Sequence, residues 1–157
     1  IAAGSPRLES LIFGMGGFAA SQHMPMLDIG RQGAYPGDLW HYPRSRLVMA
    51  ARAHGLVPID GPFADYKDAE GLTADSQIGK LLGLSGKWAI HPNQVPIISE
   101  CFSPDSEDVA RARSQKAAYE QALEAGQGAV SVDGVMVDQA TMKLIEPLLA
   151  QADLLQI

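Results

Sequence analysis

The chain of 157 residues is long enough for a domain with a hydrophobic core, and its 46% hydrophobic and 19% charged residues are typical of a globular protein. The formal net charge of −6 argues against nucleic acid as a partner, because phosphate binding requires a basic surface. No apolar run approaches the roughly 18 residues of a membrane span. The single Cys101 excludes an internal disulfide and fits a reducing compartment such as the cytoplasm.

Two short apolar segments in the first half of the chain are predicted to be strands of a parallel sheet. The first covers 8–13 and runs into Gly14–Phe18, where closely spaced glycines favour a loop that lets backbone approach a ligand. The second lies within 56–63 and ends in Asp60-Gly61-Pro62. Residues 22–38, which Pro and Gly interrupt throughout, are predicted to form a long binding loop or lid.

Helices are predicted on either side of the second strand. Pro43 fits the first turn of a helix, and Gly55 is placed to cap its end. After the strand, Asp68 is predicted to cap a helix that runs to about Leu82. The spacing of the first helix predicts that one face carries Leu47, Ala50, Ala51 and His54.

A third strand is predicted over Lys87–Ile90, buried and followed directly by His91. A strand that ends in polar residues just before a helix is how α/β enzymes present chemistry at one edge of a sheet. The helix that follows is predicted to begin at Asn93 and to end near Phe102.

The last third of the chain has the pattern helix, hairpin, helix. Ser103-Pro104 is predicted to begin a helix that runs to Ala125, with the hydroxyl as N-cap and Pro in the first turn. Asp133-Gly134 between two apolar segments predicts a type I′ hairpin. A final helix is predicted over 139–155.

Strands that alternate with helices indicate an α/β fold with a parallel sheet. A (β/α)₈ barrel needs eight such units and about 250 residues. We therefore expect residues 1–102 to form the C-terminal part of a TIM barrel, about strands 6–8. Residues 103–157 are expected to form a C-terminal extension.

Several candidate sites have simpler structural explanations. Gly14-x-Gly16-x-x-Ala19 formally matches the dinucleotide fingerprint, but Gln22-His-Met-Pro25 and a Gly-rich loop follow it in place of the required helix and second acid, which argues against a nucleotide site. No two of the four histidines have metal-ligand spacing, which argues against a metal site made from His23, His41, His54 and His91. His54 is expected to pack or to face the end of its helix, and His91 to hydrogen-bond its own loop, although its place at a strand end keeps a chemical role open.

Carboxylates provide the remaining candidates. Asp60, Asp65 and Asp68 crowd one loop, where they would bind Mg²⁺, act as bases or, as the favoured interpretation for Asp65 and Asp68, cap and solvate the loop. Asp133 fits a turn. Asp138 follows a strand and precedes a helix, so N-capping explains it well, and capping is compatible with catalysis.

Motifs spread over nearly the whole chain resemble the HpcH/HpaI aldolase and citrate lyase β-subunit-like family of CoA-ester lyases, in particular malyl-CoA and β-methylmalyl-CoA lyases. The matching segments are Ser5-Pro-Arg-Leu8, Leu11-Ile-Phe-Gly14, Tyr35-Pro-Gly-Asp-Leu-Trp-His41, Ala50-Ala-Arg-Ala-His-Gly55, Ile59-Asp-Gly-Pro62, Gly86-Lys-Trp-Ala-Ile-His-Pro-Asn-Gln94, Phe102-Ser-Pro104 and Gly128-Ala129 through Asp133-Gly-Val-Met-Val-Asp138.

The resemblance implies a TIM barrel and a homo-oligomer, trimer or hexamer, whose C-terminal extension reaches a neighbouring subunit. It implies cleavage of a carbon–carbon bond in an acyl-CoA ester such as malyl-CoA, which gives an acyl-CoA and a 2-oxoacid, with Mg²⁺ as Lewis acid. A catalytic carboxylate of the extension matches Asp138, which would act in the neighbouring subunit's active site. The strand-end residues Gly14, Gly16, Gly17, Pro62 and His91 are the candidate substrate-binding residues.

The chain departs from the family pattern at its metal site. The family has Phe-Gly-x-x-Asp-Phe after the sixth strand, and this chain has Phe13-Gly-Met-Gly-Gly-Phe18, so Gly17 occupies the expected Asp position. The second metal carboxylate and a substrate-binding Arg lie upstream in the family and match no residue here. The chain therefore holds no metal ligand that the resemblance identifies, and it is expected to bind Mg²⁺ poorly and to be impaired as a lyase. A thioesterase acting on the same esters and a non-catalytic CoA-ester-binding or assembly subunit are the alternatives.

Overall fold

The computed structural model describes residues 1–27 and 37–157. They divide into two compact units, Ile1–Phe102 and Ser103–Ile157. Most of the loop predicted over 22–38 lies outside the described residues. No helix within the described ranges is long and apolar enough to cross a membrane.

The first unit is a mixed α/β arrangement, as the sequence predicts. Its elements in order are β1 (Ser10–Ile12), α1 (Met15–Ser21), α2 (His41–Ala53), β2 (Val57–Ile59), α3 (Ala69–Leu81) and α4 (Gln94–Phe102). Strands β1 and β2 pair in parallel, with Leu11 opposite Pro58. A parallel bridge between Asp60 and Lys87 adds a third segment beside β2.

The prediction of a buried third strand over Lys87–Ile90 is wrong. Lys87 makes one isolated bridge, and the side chains of Trp88 and Ile90 are about half exposed. The segment has the hydrophobic side chains of a buried strand. Among the described residues, however, no further backbone pairing extends it and no element fully covers the side chains of Trp88 and Ile90.

The prediction of a loop over Gly14–Phe18 is also wrong, because α1 begins at Met15. Glycines in a helix lower its intrinsic stability, which is why the sequence favours a loop. Tertiary packing outweighs this preference: Met15 and Ala19 are buried in one cluster with Phe13 and Trp40. A helix therefore does follow β1 at once, contrary to the argument used against a dinucleotide site.

Helix α2 buries only part of the predicted face. Ala50 and His54 are exposed, whereas Arg44 and Ala51 are buried and Leu47 is partly buried. Helical periodicity predicts the buried face from apolar residues alone, but here the charged Arg44 occupies one of the buried positions. The predicted cap is confirmed, since Gly55 has a φ of 69°.

Helices α3 and α4 follow the predictions closely. The Asp68 carboxylate accepts a hydrogen bond from the Gly71 amide at 2.9 Å and caps α3. Phe63, Leu72, Leu84, Ile98 and Phe102 form the hydrophobic cluster between these helices and the loop after β2.

The second unit consists of α5 (Ser106–Glu124), β3 (Ala129–Val132), β4 (Val135–Asp138) and α6 (Gln139–Leu155). The N-cap of α5 is Asp105 rather than Ser103, because the Asp105 carboxylate accepts from two amides of the first turn. The antiparallel hairpin is confirmed, with positive φ values of 51° at Asp133 and 78° at Gly134 as a type I′ turn requires.

Candidate active site

Parallel pairing brings three loops to the same edge of the sheet in the first unit. Gly14, Pro62 and His91 follow β1, β2 and the Lys87 bridge segment, respectively. Because these three segments are parallel, their carboxyl ends lie at one edge, where α/β folds bind ligands. The structure thus brings together the strand-end loops that contain the candidate substrate-binding residues of this unit.

A close backbone contact joins the first two loops. A Cβ atom at Gly61 would collide with the carbonyl oxygen of Phe13 and would crowd the Met15 side chain. Only glycine permits this approach without a shift of the backbone. Gly61 therefore sets Pro62 beside the start of α1, where Gly14 and Gly16 lie.

A buried amide joins the second and third loops. The Gln94 side chain is 1% exposed. Its Nε2 donates to the carbonyl oxygen of Phe63 at 2.8 Å, and its Oε1 accepts from the backbone amides of Ile90 at 2.9 Å and His91 at 3.3 Å. One side chain thus holds backbone groups of the Pro62 loop and of the His91 loop.

An aromatic contact also spans these two loops. The rings of Tyr66 and His91 are stacked with their centroids 4.5 Å apart, and the Lys67 ammonium lies 5.7 Å from the Tyr66 ring centroid. His91 Nδ1 accepts a hydrogen bond from the Asn93 amide at 3.2 Å. His91 thus hydrogen-bonds its own loop, as the sequence indicates, and it is partly exposed at the mouth of the site.

Behind these loops lies a buried network of four charged side chains. Arg44 donates to Asp60 from Nε at 3.0 Å and from Nη2 at 2.8 Å, and Nη2 also donates to Asp75 at 2.8 Å. Lys87 Nζ lies 2.8 Å from Asp60 and 2.5 Å from Asp75. Two cations and two carboxylates balance, as buried charges require.

This network excludes one interpretation of the sequence, namely that Asp60 is a metal ligand or a catalytic base. Asp60 is fully buried, and both of its oxygens accept from cations. Burial alone would lower the pKa of Arg44, but Asp60 and Asp75 outweigh it and raise that pKa. Asp60 is therefore a structural carboxylate. For the same reason it cannot serve as the acidic residue that binds the ribose in a dinucleotide site.

The other aspartates of this loop have local roles. Asp68 caps α3, and Asp65 Oδ1 accepts from the Lys67 amide within a turn. Across residues 1–27 and 37–157, no group of three or more His, Cys, Asp or Glu side chains is placed to hold a metal ion. The described residues therefore do not fit a Mg²⁺ site, although the resemblance implies one.

Gly17 lies in the first turn of α1, exposed to solvent. A Cβ atom added there meets no other atom within 4 Å. No acidic side chain occupies this first turn. An aspartate at this position is thus compatible with the fold, and the partial positive charge of the helix N-terminus favours it.

Asp138 lies in the second unit, where β4 meets α6. Its Oδ1 accepts from the amides of Ala140 at 2.9 Å and Thr141 at 3.0 Å, and the Thr141 side chain completes a capping box. The hydrogen bond from the Thr141 backbone is the main cause that lowers the pKa of Asp138. Among the described residues, hydrogen bonds reach Oδ1 and leave Oδ2 available, so capping occupies half of this carboxylate.

No protein-family model matches the chain. It is 41% identical over 165 residues to L-malyl-CoA/beta-methylmalyl-CoA lyase of Cereibacter sphaeroides (strain ATCC 17025), an alignment that covers 99% of this chain and 52% of that enzyme. It is 42% identical over 106 residues to (3S)-malyl-CoA thioesterase of the same organism, over 68% of this chain and 37% of that enzyme.

Two solved structures share the fold of this chain. A citrate lyase from Burkholderia xenovorans LB400 superposes with a TM-score of 0.80 at 23% identity, over 99% of this chain and 48% of that one, which shows the fold alone. CitE from Mycobacterium tuberculosis, solved with magnesium, acetoacetate and coenzyme A, superposes with a TM-score of 0.78 at 29% identity, over 98% and 55%.

The chain therefore belongs to the citrate lyase β-subunit-like family of CoA-ester lyases, as its motifs predict. Within that family, it matches malyl-CoA/β-methylmalyl-CoA lyases over its whole length. It spans about half the length of the curated relatives it matches.

Proposed function

We propose that the chain is the C-terminal part of a CoA-ester lyase barrel, strands 6–8 with the extension 103–157, acting in the cytoplasm on malyl-CoA or a related ester. The observation that carries this proposal is the 41% identity to a malyl-CoA/β-methylmalyl-CoA lyase across 99% of the chain. The meeting of Gly14, Pro62 and His91 at one sheet edge supports it, because TIM barrels bind substrate at that edge.

Cleavage of such an ester requires proton transfers that protein side chains provide. A general base takes the hydroxyl proton of malyl-CoA as the carbon–carbon bond breaks, and the bonding electrons pass to the thioester as an enolate. Protonation of the enolate carbon then gives acetyl-CoA, with glyoxylate as the other product. We propose that Asp138 of a neighbouring subunit of a homo-oligomer transfers the proton at the acyl-CoA carbon through Oδ2. In cleavage its protonated form donates to the enolate carbon and becomes ionised, and in the reverse condensation the ionised form removes that proton again.

Position 17 is where this chain departs from the metal-binding pattern of its family. The CitE structure contains magnesium, whereas here Gly17 stands at the expected Asp position and Asp60 is held by two cations. A hard divalent cation loses affinity sharply when an anionic oxygen ligand is removed. We propose that Mg²⁺ binding is weak and that lyase turnover is impaired.

The test is the Gly17→Asp substitution in the full-length protein, assayed with malyl-CoA and Mg²⁺. We expect lyase kcat/KM to rise at least about tenfold, because a carboxylate ligand strengthens the metal site and metal ions supply several kcal/mol to such reactions. Gly17→Asn is the matched control, since it has the same shape without the charge. A Gly17→Asp protein that is folded and no faster than the parent contradicts the proposal.

Two other functions are distinguished by the products. The similarity to a malyl-CoA thioesterase favours hydrolysis as the second candidate, and hydrolysis releases malate and free CoA instead of glyoxylate and acetyl-CoA. Gly17 favours the third, a non-catalytic CoA-ester-binding or assembly subunit, which would bind acyl-CoA without turnover and without dependence on Mg²⁺.

A further inference from the structure

The Gln94 side chain makes an unusual set of contacts for the first residue of a helix. It turns away from solvent and is 1% exposed, and its three hydrogen-bond partners are all backbone groups of strand-end loops. The donor and acceptor roles are fixed, because a carbonyl can only accept and an amide N–H can only donate. A side-chain amide of this length satisfies both loops at once.

The contact positions the candidate binding residues rather than the sheet itself. Phe63 directly follows Pro62, and the His91 amide is itself one of the donors. The stacked pair of Tyr66 and His91 crosses the same gap, so its ring separation depends on the distance between these loops.

We propose that Gln94 is a positioning residue for acyl-CoA binding: its buried amide fixes the spacing between the Pro62 loop and the His91 loop, and thereby the geometry of the site mouth. This inference rests on the proposed function, because it takes these loops to be the substrate mouth. When the binding geometry is populated for only a fraction of the time, apparent affinity falls by that fraction.

Two substitutions separate the two halves of the contact. Gln94→Met keeps the approximate volume and removes every hydrogen bond. Gln94→Glu keeps an acceptor for the Ile90 and His91 amides but, when ionised, presents an oxygen to the carbonyl of Phe63. A protonated glutamate donates to that carbonyl again, and burial raises the pKa of such a group, so mildly acidic solution is expected to rescue this variant.

Gln77→Glu is the matched control, because it makes the same chemical change at an exposed position of α3. The wild-type protein and Gln94→Met are measured over the same pH range, since Asp65, Tyr66, Lys67 and His91 on the two loops are titratable in every variant. Gln94→Glu is also measured at acidic pH in case Gln94→Met does not fold.

The first readout does not depend on activity. In the wild type, the Tyr66 ring current is expected to move the NMR chemical shifts of the His91 imidazole protons away from those of the exposed His54. In Gln94→Met, and in Gln94→Glu at neutral pH, the His91 signals are expected to move toward the His54 values. Acidification is expected to return them in Gln94→Glu alone.

The second readout is affinity. We expect Kd for CoA, and KM for malyl-CoA where turnover is measurable, to rise about tenfold in Gln94→Met, with kcat changed less than about threefold. Unchanged His91 signals, or shifted signals with unchanged CoA affinity, overturn the positioning role. A wild-type protein that neither binds CoA nor turns over malyl-CoA overturns the proposed function instead, and the His91 signals still test Gln94.

Discussion

Asp138→Asn is expected to lower lyase kcat by about 10²- to 10⁴-fold, the usual effect of losing a side chain that transfers a proton. Asn is as good an N-cap as Asp, and its side-chain oxygen keeps the position of Oδ1, so α6 should remain capped. The substitution therefore separates catalysis from capping. The assay uses a Gly17→Asp background, where turnover is expected to be easiest to measure, and compares melting temperatures in parallel.

Mixing subunits tests whether Asp138 acts in a neighbouring subunit. The parent chain has Asp138 but lacks the carboxylate at position 17, whereas a Gly17→Asp/Asp138→Asn chain has the opposite composition. If the extension completes a neighbour's site, an oligomer reassembled from both chains is expected to be more active than either alone. A mixture that remains as slow as its components, with mixed oligomers demonstrated by mass, contradicts action between subunits.

The lowered pKa of Asp138 also predicts a pH effect. Hydrogen bonds to the carboxylate in the folded state, first among them that of the Thr141 amide, lower this pKa below its unfolded value. The stabilisation is therefore complete above the ordinary carboxyl pKa and is lost as pH falls through the lowered value. The stability of Asp138→Asn is expected to lack this acid-dependent component when unfolding is compared across that range.

Lys87→Met is expected to destabilise the first unit by about 3 to 5 kcal/mol, because it leaves two buried carboxylates with one cation. Arg44 then balances only one of Asp60 and Asp75. Urea denaturation measures the loss. A loss below about 1 kcal/mol would contradict the view that the network is sealed from solvent.

An exposed ion pair provides the control for that experiment. Arg111 contacts Asp108 at 2.6 Å, but their side chains are 70% and 51% exposed, so Arg111→Met is expected to cost less than about 1 kcal/mol. Adding Asp75→Asn to Lys87→Met should recover part of the loss, since it removes the carboxylate left without a cation.

The elements that local chemistry determines were predictable from the sequence. Asp133-Gly134 predicts the hairpin because it suits positive φ, and Asp68 and Asp138 predict helix starts because each caps its own first turn. Such signals involve residues within four positions of one another. The first turn of α1 could not be predicted in this way, because distant packing against Trp40 outweighs the glycine content.

The interior of the site was harder to predict for the same reason. Arg44 is 16 residues from Asp60 and 31 from Asp75 in sequence, and no local pattern connects them. In the sequence, Gln94 stands out only as the last residue of a family motif, and its hydrogen-bond partner Phe63 lies 31 residues away. The signal that could have indicated the network is a charged residue at a position where the sequence pattern predicts burial. Arg44 on α2 and Lys87 in an apolar segment are such residues.

The balance of charges behind the strand-end loops has an evolutionary consequence. The fold tolerates replacement of all four charged side chains of the network by well-packed apolar or uncharged ones. Replacement of a single one leaves a buried charge without a partner of opposite sign. Positions 44, 60, 75 and 87 should therefore be inherited as a block, so that homologues retain the full set or replace it together.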